Sequence, residues 1–139
     1  MKRSIDELLQ TPYWIIDILP KRVPADTQGQ YFAIASYLEK HRMDQIKERQ
    51  TDFILKLNCY KAISINDEDE VNPPLEKIVE EMKKEYVFFR IDEAMILAER
   101  DDTHMTLFNP DEKLLELVRT LAQGEGLYVW NGEEISQKS

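Results

Sequence analysis

Residues 86–108 read Tyr86-Val87-Phe88-Phe89-Arg90-Ile91-Asp92-Glu93-Ala94-Met95-Ile96-Leu97-Ala98-Glu99-Arg100-Asp101-Asp102-Thr103-His104-Met105-Thr106-Leu107-Phe108. Three strand-like runs (86–91, 95–98 and 104–108) are joined by short connections. Parallel neighbours need crossovers of about a dozen residues, so these runs form an antiparallel meander. With Asp92-Glu93 as the first turn, Tyr86, Phe88 and Arg90 lie opposite Glu99, Leu97 and Met95. With 100–103 as the second turn, Glu99 lies opposite His104.

Successive side chains point to opposite faces of a strand. One face of this ribbon carries Val87, Phe89, Ile91, Ala94, Ile96, Ala98, Met105 and Leu107. It is wholly apolar and must meet helices. The other carries Tyr86, Phe88, Arg90, Met95, Leu97, Glu99, His104, Thr106 and Phe108. That mixture is too apolar for a wet face and too polar for a sealed core. A one-residue slip would exchange the two faces, and Asp-Glu is not a favoured two-residue turn.

The sequence on either side supplies the layers. Ser4-Ile5-Asp6-Glu7 has the form of a capping box, predicting a short helix up to Gln10. Residues 14–19 read as a strand, and 31–38 fit either helix or strand. Apolar Met43, Ile46, Phe53, Ile54 and Leu57 at helical spacing predict one helix over 40–57. A short strand at 62–65 precedes Pro73-Pro74, which fixes a helix start. That helix carries an apolar stripe of Leu75, Ile78, Val79 and Met82 and a Glu80–Lys84 pair. Asn109 and Pro110 punctuate a last helix, whose buried face is Leu114, Leu115, Leu117, Val118 and Leu121 and which ends at Gly124. A strand at 127–130 follows, and 132–139 read as a flexible tail. The expected fold is a single α+β domain over 1–139. It has a mostly antiparallel sheet of five or six strands and three main helices packed on one face.

Composition agrees with one domain. The chain has 139 residues, and two cores of roughly 70 residues each would be marginal. Hydrophobic residues make up 42% and charged residues 32%, which argues against both a disordered chain and a membrane protein. The net charge is -9, which disfavours direct binding of nucleic-acid phosphates. That charge is uneven. Residues 1–60 hold 9 Lys/Arg and 8 Asp/Glu, leaving 9 and 19 for the remainder. The N-terminal residues meet Asp6 and Glu7 before any long apolar run, and no stretch reaches the about 18 residues of a membrane helix. A cytoplasmic protein is expected.

Each candidate chemistry has a plainer alternative. Asp17 interrupts an Ile-rich strand, either as an acid–base group or as an edge-strand charge that discourages aggregation; the second is preferred. Asp101, Asp102 and His104 could ligate a divalent metal, yet no matching distant pair is visible and a solvated turn is preferred. Residues 66–70 (Asn-Asp-Glu-Asp-Glu) superficially resemble a calcium loop. Counting from Asn66, Val71 and Lys77 stand where glycine and glutamate are required. Cys59 reads as a small buried thiol. No nucleophile elbow, phosphate loop or dinucleotide motif occurs, and nothing calls for a cofactor.

The preferred reading is therefore a non-enzymatic protein-binding or regulatory module with a basic partner or a second copy of itself. Phe88, Arg90, Leu97, Glu99, His104 and Phe108 are its expected contact residues. Asp67, Glu68, Asp69 and Glu70 would steer the partner electrostatically. The plainer view of the same face is that 31–38 or another helix covers it, leaving Arg90 and His104 at the rim. The alternative function is a small-molecule-binding domain or small enzyme with a cleft between sheet and helices, using Asp17, Arg90, Glu99 and His104.

Overall fold

In the computed structural model, which describes residues 3–20 and 28–132, the meander takes the expected register. Strands β3 (Tyr86–Ile91) and β4 (Ala94–Glu99) pair with Tyr86 opposite Glu99 and Arg90 opposite Met95; β5 (Met105–Phe108) follows with Phe108 opposite Met95. Asp92 supplies the left-handed turn residue, with φ 53°. The Lys61 ammonium holds its carboxylate at 2.9 Å.

Three further strands complete the sheet: β1 (Tyr13–Asp17), β2 (Ser64–Ile65) and β6 (Tyr128–Asn131). The order is β2-β3-β4-β5-β1-β6, and every neighbouring pair is antiparallel. The predicted strand at 14–19 thus lies between β5 and β6. That overturns the edge-strand reading of Asp17, which is buried within an interior strand opposite Tyr128.

The helices are α1 (Ile5–Leu8), α2 (Tyr31–His41), α3 (Met43–Tyr60), α4 (Leu75–Glu81) and α5 (Glu112–Gly124). The apolar sheet face meets Phe53, Ile54 and Leu57 of α3, Ile78 of α4, and Leu114, Val118 and Ala122 of α5 in one core. Each of these side chains larger than alanine contributes about 1.5–3 kcal/mol by leaving water. Three helices on one face is thus the observed arrangement. Ile46, Gln50, Phe53, Ile54 and Leu57 fall at helical spacing along α3, and all are buried.

Local differences have local causes. The predicted helix over 40–57 is two helices, because Arg42 leaves helical geometry at φ -129°, ψ 13° and its guanidinium packs 5.3 Å from the Tyr37 ring. Asn109 does not cap α5. It takes φ 59° and donates through Nδ2 to the Glu93 carbonyl, while Asp111 Oδ1 accepts from the Leu114 amide at 2.7 Å. Leu75 is exposed rather than part of the α4 stripe. Glu80 pairs with Lys83 and Glu81 with Lys84, one residue closer than the expected Glu80–Lys84 pair. Cys59 is exposed rather than buried, because it lies on the outer side of α3. Of the predicted tail, 133–139 lies outside the described residues. Gly132 instead packs inward, its amide donating to the Tyr13 carbonyl at 3.0 Å.

Candidate functional site

The mixed sheet face is covered along only part of its area. Ser4 accepts from the Glu7 amide and Glu7 returns a bond to the Ser4 amide, so the capping box closes α1. This short helix lies on the outer face, where Leu8 forms a second apolar cluster with Met95 and Phe108. Phe88 and Leu97 pack against that cluster and stay half-buried. Helix α2, which could have been the cover, instead stands beside the end of β1, where Tyr31, Phe32 and Ala35 line a cavity with Asp17, Ile18 and Thr103.

Two of the six expected contact residues are therefore taken up by the fold. Phe108 is buried beneath α1. Arg90 is 6% exposed; it donates through Nη1 to the Arg3 carbonyl at 2.7 Å and through Nε and Nη2 to Asp67 Oδ1. A guanidinium is planar and multiply donating, which suits such an enclosed multi-bond position better than an ammonium would. Phe88, Leu97, Glu99 and His104 remain at or near the surface.

The acidic loop is likewise partly engaged. Asp67 holds Arg90, while Glu68 and Glu70 both reach Lys77, at 3.2 and 3.0 Å. Asp69 is exposed. Asn66 and Asn72 take left-handed φ values of 53° and 55°, which asparagine tolerates better than most residues. Their side chains accept from the Phe88 and Ile63 amides, so both ends of the loop are pinned to the sheet.

The open remainder of the face is a strip built by Tyr86, Phe88, Leu97 and Thr106. Tyr86 is 56% exposed, and its ring meets that of Phe88 edge-on, with centroids 5.7 Å apart. The strip runs into a groove of about 490 Å³ between α1, the loop after β2 and the end of α4.

Continuing the register one residue past β5 sets Asp17, His104, Glu99 and Tyr86 in one row across the sheet. Three of the four polar residues of the cleft alternative thus share a row. Arg90 sits at the opposite end of the β3–β4 ribbon. His104 forms no hydrogen bond to either flanking carboxylate, and among the described residues no three His, Cys, Asp or Glu side chains converge on a cation-sized site.

Two features had not been picked out as candidates. On α2, Phe32, Ile34 and Tyr37 are about half exposed, and no residue of the helix is buried. The signal was the near-continuous apolar run over 31–38, which leaves a helix no polar side to turn to water. The second is Lys47, whose Nζ donates to the Glu99 carbonyl and to Gln50 Oε1 at 2.9 Å. Desolvation pulls its ammonium down to about 8 against the pull of Asp102, Asp101 and Glu99. Gln50, fully buried, donates to the Asp102 carbonyl, so this pair anchors the β4–β5 turn to α3. Spaced charges along 40–57 read as a solvated surface and hid that role.

The fold and this strip define a small acidic α+β protein with an open aromatic sheet face. No family model, no curated protein and no solved structure matches the chain. Among the described residues no helix is long and apolar enough to cross a membrane.

Proposed function

We propose that this chain acts by binding a basic protein partner through the open strip of its outer sheet face. One observation carries the reading: Tyr86 is exposed and Phe88, Leu97 and Thr106 are only half-buried on a face whose other end α1 covers. Exposed carboxylates of Glu85, Glu99 and Asp101 stand at the Tyr86 end of the strip, where Arg100 pairs with Asp101. An aromatic and aliphatic centre with a charged rim is the composition of protein interfaces. The acidic rim favours a cationic partner and speeds its approach. In this reading the cytoplasmic acidic module neither turns over a substrate nor holds a cofactor.

The test starts from a partner captured on the immobilised protein, purified and remixed with it. Leu97→Asp and Thr106→Asp, each checked for native melting, are expected to weaken binding tenfold or more. Affinity should also fall steeply with added salt. Equal affinity for both variants, or a salt-independent affinity, would sink the reading.

A second reading, a homodimer through α2, is favoured by the half-exposed Ile34 and Tyr37, which lie three residues apart on one helix side. Sedimentation equilibrium at millimolar protein separates the two, because Ile34→Asp abolishes only the dimer.

A further inference from the structure

The groove beside the strip has a chemistry of its own. Its apolar wall is Ile5, Tyr86 and Phe88, and its polar wall is Asp67, Glu81 and Glu85. A single ammonium, Lys84, stands among them, held by Glu81 at 2.7 Å. Asp67 meets Arg90 through Oδ1 only, so Oδ2 keeps its accepting capacity, and the Asp67 side chain is 66% exposed. Glu85 is exposed and forms no ion pair among the described residues. Two carboxylate acceptors are thus unspent beside two aromatic rings.

Resting on the partner reading above, we propose that this groove receives the guanidinium of an arginine side chain presented by the basic partner. Charge selects the occupant first, since three carboxylates against the Lys84 ammonium and the Arg90 guanidinium leave the described groove net acidic, which disfavours an anion. The ring walls select it next. A metal ion needs converging oxygen ligands, and the described carboxylates do not converge. A guanidinium is weakly hydrated, stacks on aromatic faces and donates in a planar fork to carboxylates. The protein already treats one guanidinium this way, seating Arg90 against the same Asp67.

The probe is the blocked peptide acetyl-Gly-Arg-Gly-amide, titrated into the nitrogen-15-labelled protein and followed by amide chemical shifts. Saturable shifts are expected at Asn66, Tyr86 and Phe88. The citrulline peptide, neutral but nearly isosteric, should bind at least tenfold more weakly, and the lysine peptide less well than the arginine one. Tyr86→Ala and Glu85→Gln alter exposed side chains and should each lower the arginine-peptide affinity fivefold or more. Equal shifts with citrulline, or shifts centred on Asp101 and Asp102, would overturn the assignment. The two proposals also fail separately. If Leu97→Asp weakens the purified partner while Tyr86→Ala and Glu85→Gln change neither partner nor peptide binding, the groove assignment falls alone. If the peptide fills the groove but the partner ignores Leu97→Asp, the strip reading falls alone.

Discussion

Asp67 Oδ1 accepts two hydrogen bonds from Arg90, from Nε at 3.1 Å and from Nη2 at 2.7 Å. The pair ties the loop after β2 to the outer face of β3. It gives both residues a part in the fold itself. Arg90 holds the loop and the start of α1 in place, and Asp67 is its counter-ion.

Asp67→Asn should therefore cost stability. A buried charge that loses its partner is expensive, though the exposure of Asp67 lets water compensate in part. The expected loss is about 1–2 kcal/mol, read from urea denaturation. Arg90→Lys should cost about as much, because an ammonium cannot reproduce the fork and the bond to the Arg3 carbonyl. Unchanged midpoints for both variants would show that the pair contributes little.

Gly132 is set by a close approach rather than by backbone conformation. A Cβ at this position would fall 2.0 Å from Tyr13 Cε2. The ring must move for any larger residue, and Tyr13 stacks at 6.1 Å on Phe108, beneath α1. Gly132→Ala should destabilise by about 1–3 kcal/mol through this overpacking. Tyr13→Ala in the same background should remove the clash, giving a measurable coupling in a double-mutant cycle.

Much of the fold was legible because the meander is decided by local chemistry. Alternation in residues 86–108 fixes which side chains face the helices, and short connections exclude parallel pairing. The insertion of β1 between β5 and β6 was not legible, since pairing across some ninety residues leaves no mark in a local pattern. That misplaced Asp17 at an edge. Partners of Arg90 were hidden for the same reason: Arg3 and Asp67 are far away in sequence and close only after folding. Asn109 failed as a cap because Asp111, two residues on, offers an equally suitable carboxylate. Among the site residues, Phe88 and Leu97 followed from alternation alone, whereas the burial of Phe108 depended on where α1 would land.

Cys59 should react in the native state. It is exposed at the end of α3, and its Sγ donates to the Leu55 carbonyl at 3.6 Å. Exposure predicts complete labelling by iodoacetamide under native conditions. Mass spectrometry at timed quenches measures it. Labelling only after denaturant would return the thiol to the interior.

Lys47 makes stability depend on pH over a defined window. Its folded pKa is lowered to about 8 from 10.5, chiefly by burial. At neutral pH both states are protonated, so the folded state carries the full cost of a desolvated ammonium. Between pH 8 and 10.5 the folded state releases this proton while the unfolded state keeps it, and stability rises with pH. Lys61 does not oppose this, because its pKa is raised by Asp92 and its contribution is lost only above 10.5. The groups around Lys47 are Asp44, Glu48 and Asp52 on its own helix, Lys83 and Arg100 across the cleft, and Glu99, Asp101 and Asp102 at the turn. Discounted for the partial exposure of Lys47, the rise should be on the order of 1 kcal/mol. Urea denaturation at pH 7.5 and pH 9.5 should resolve it, and Lys47→Met should flatten it. A wild-type stability that falls across this interval would show that the ammonium is solvated in the folded protein.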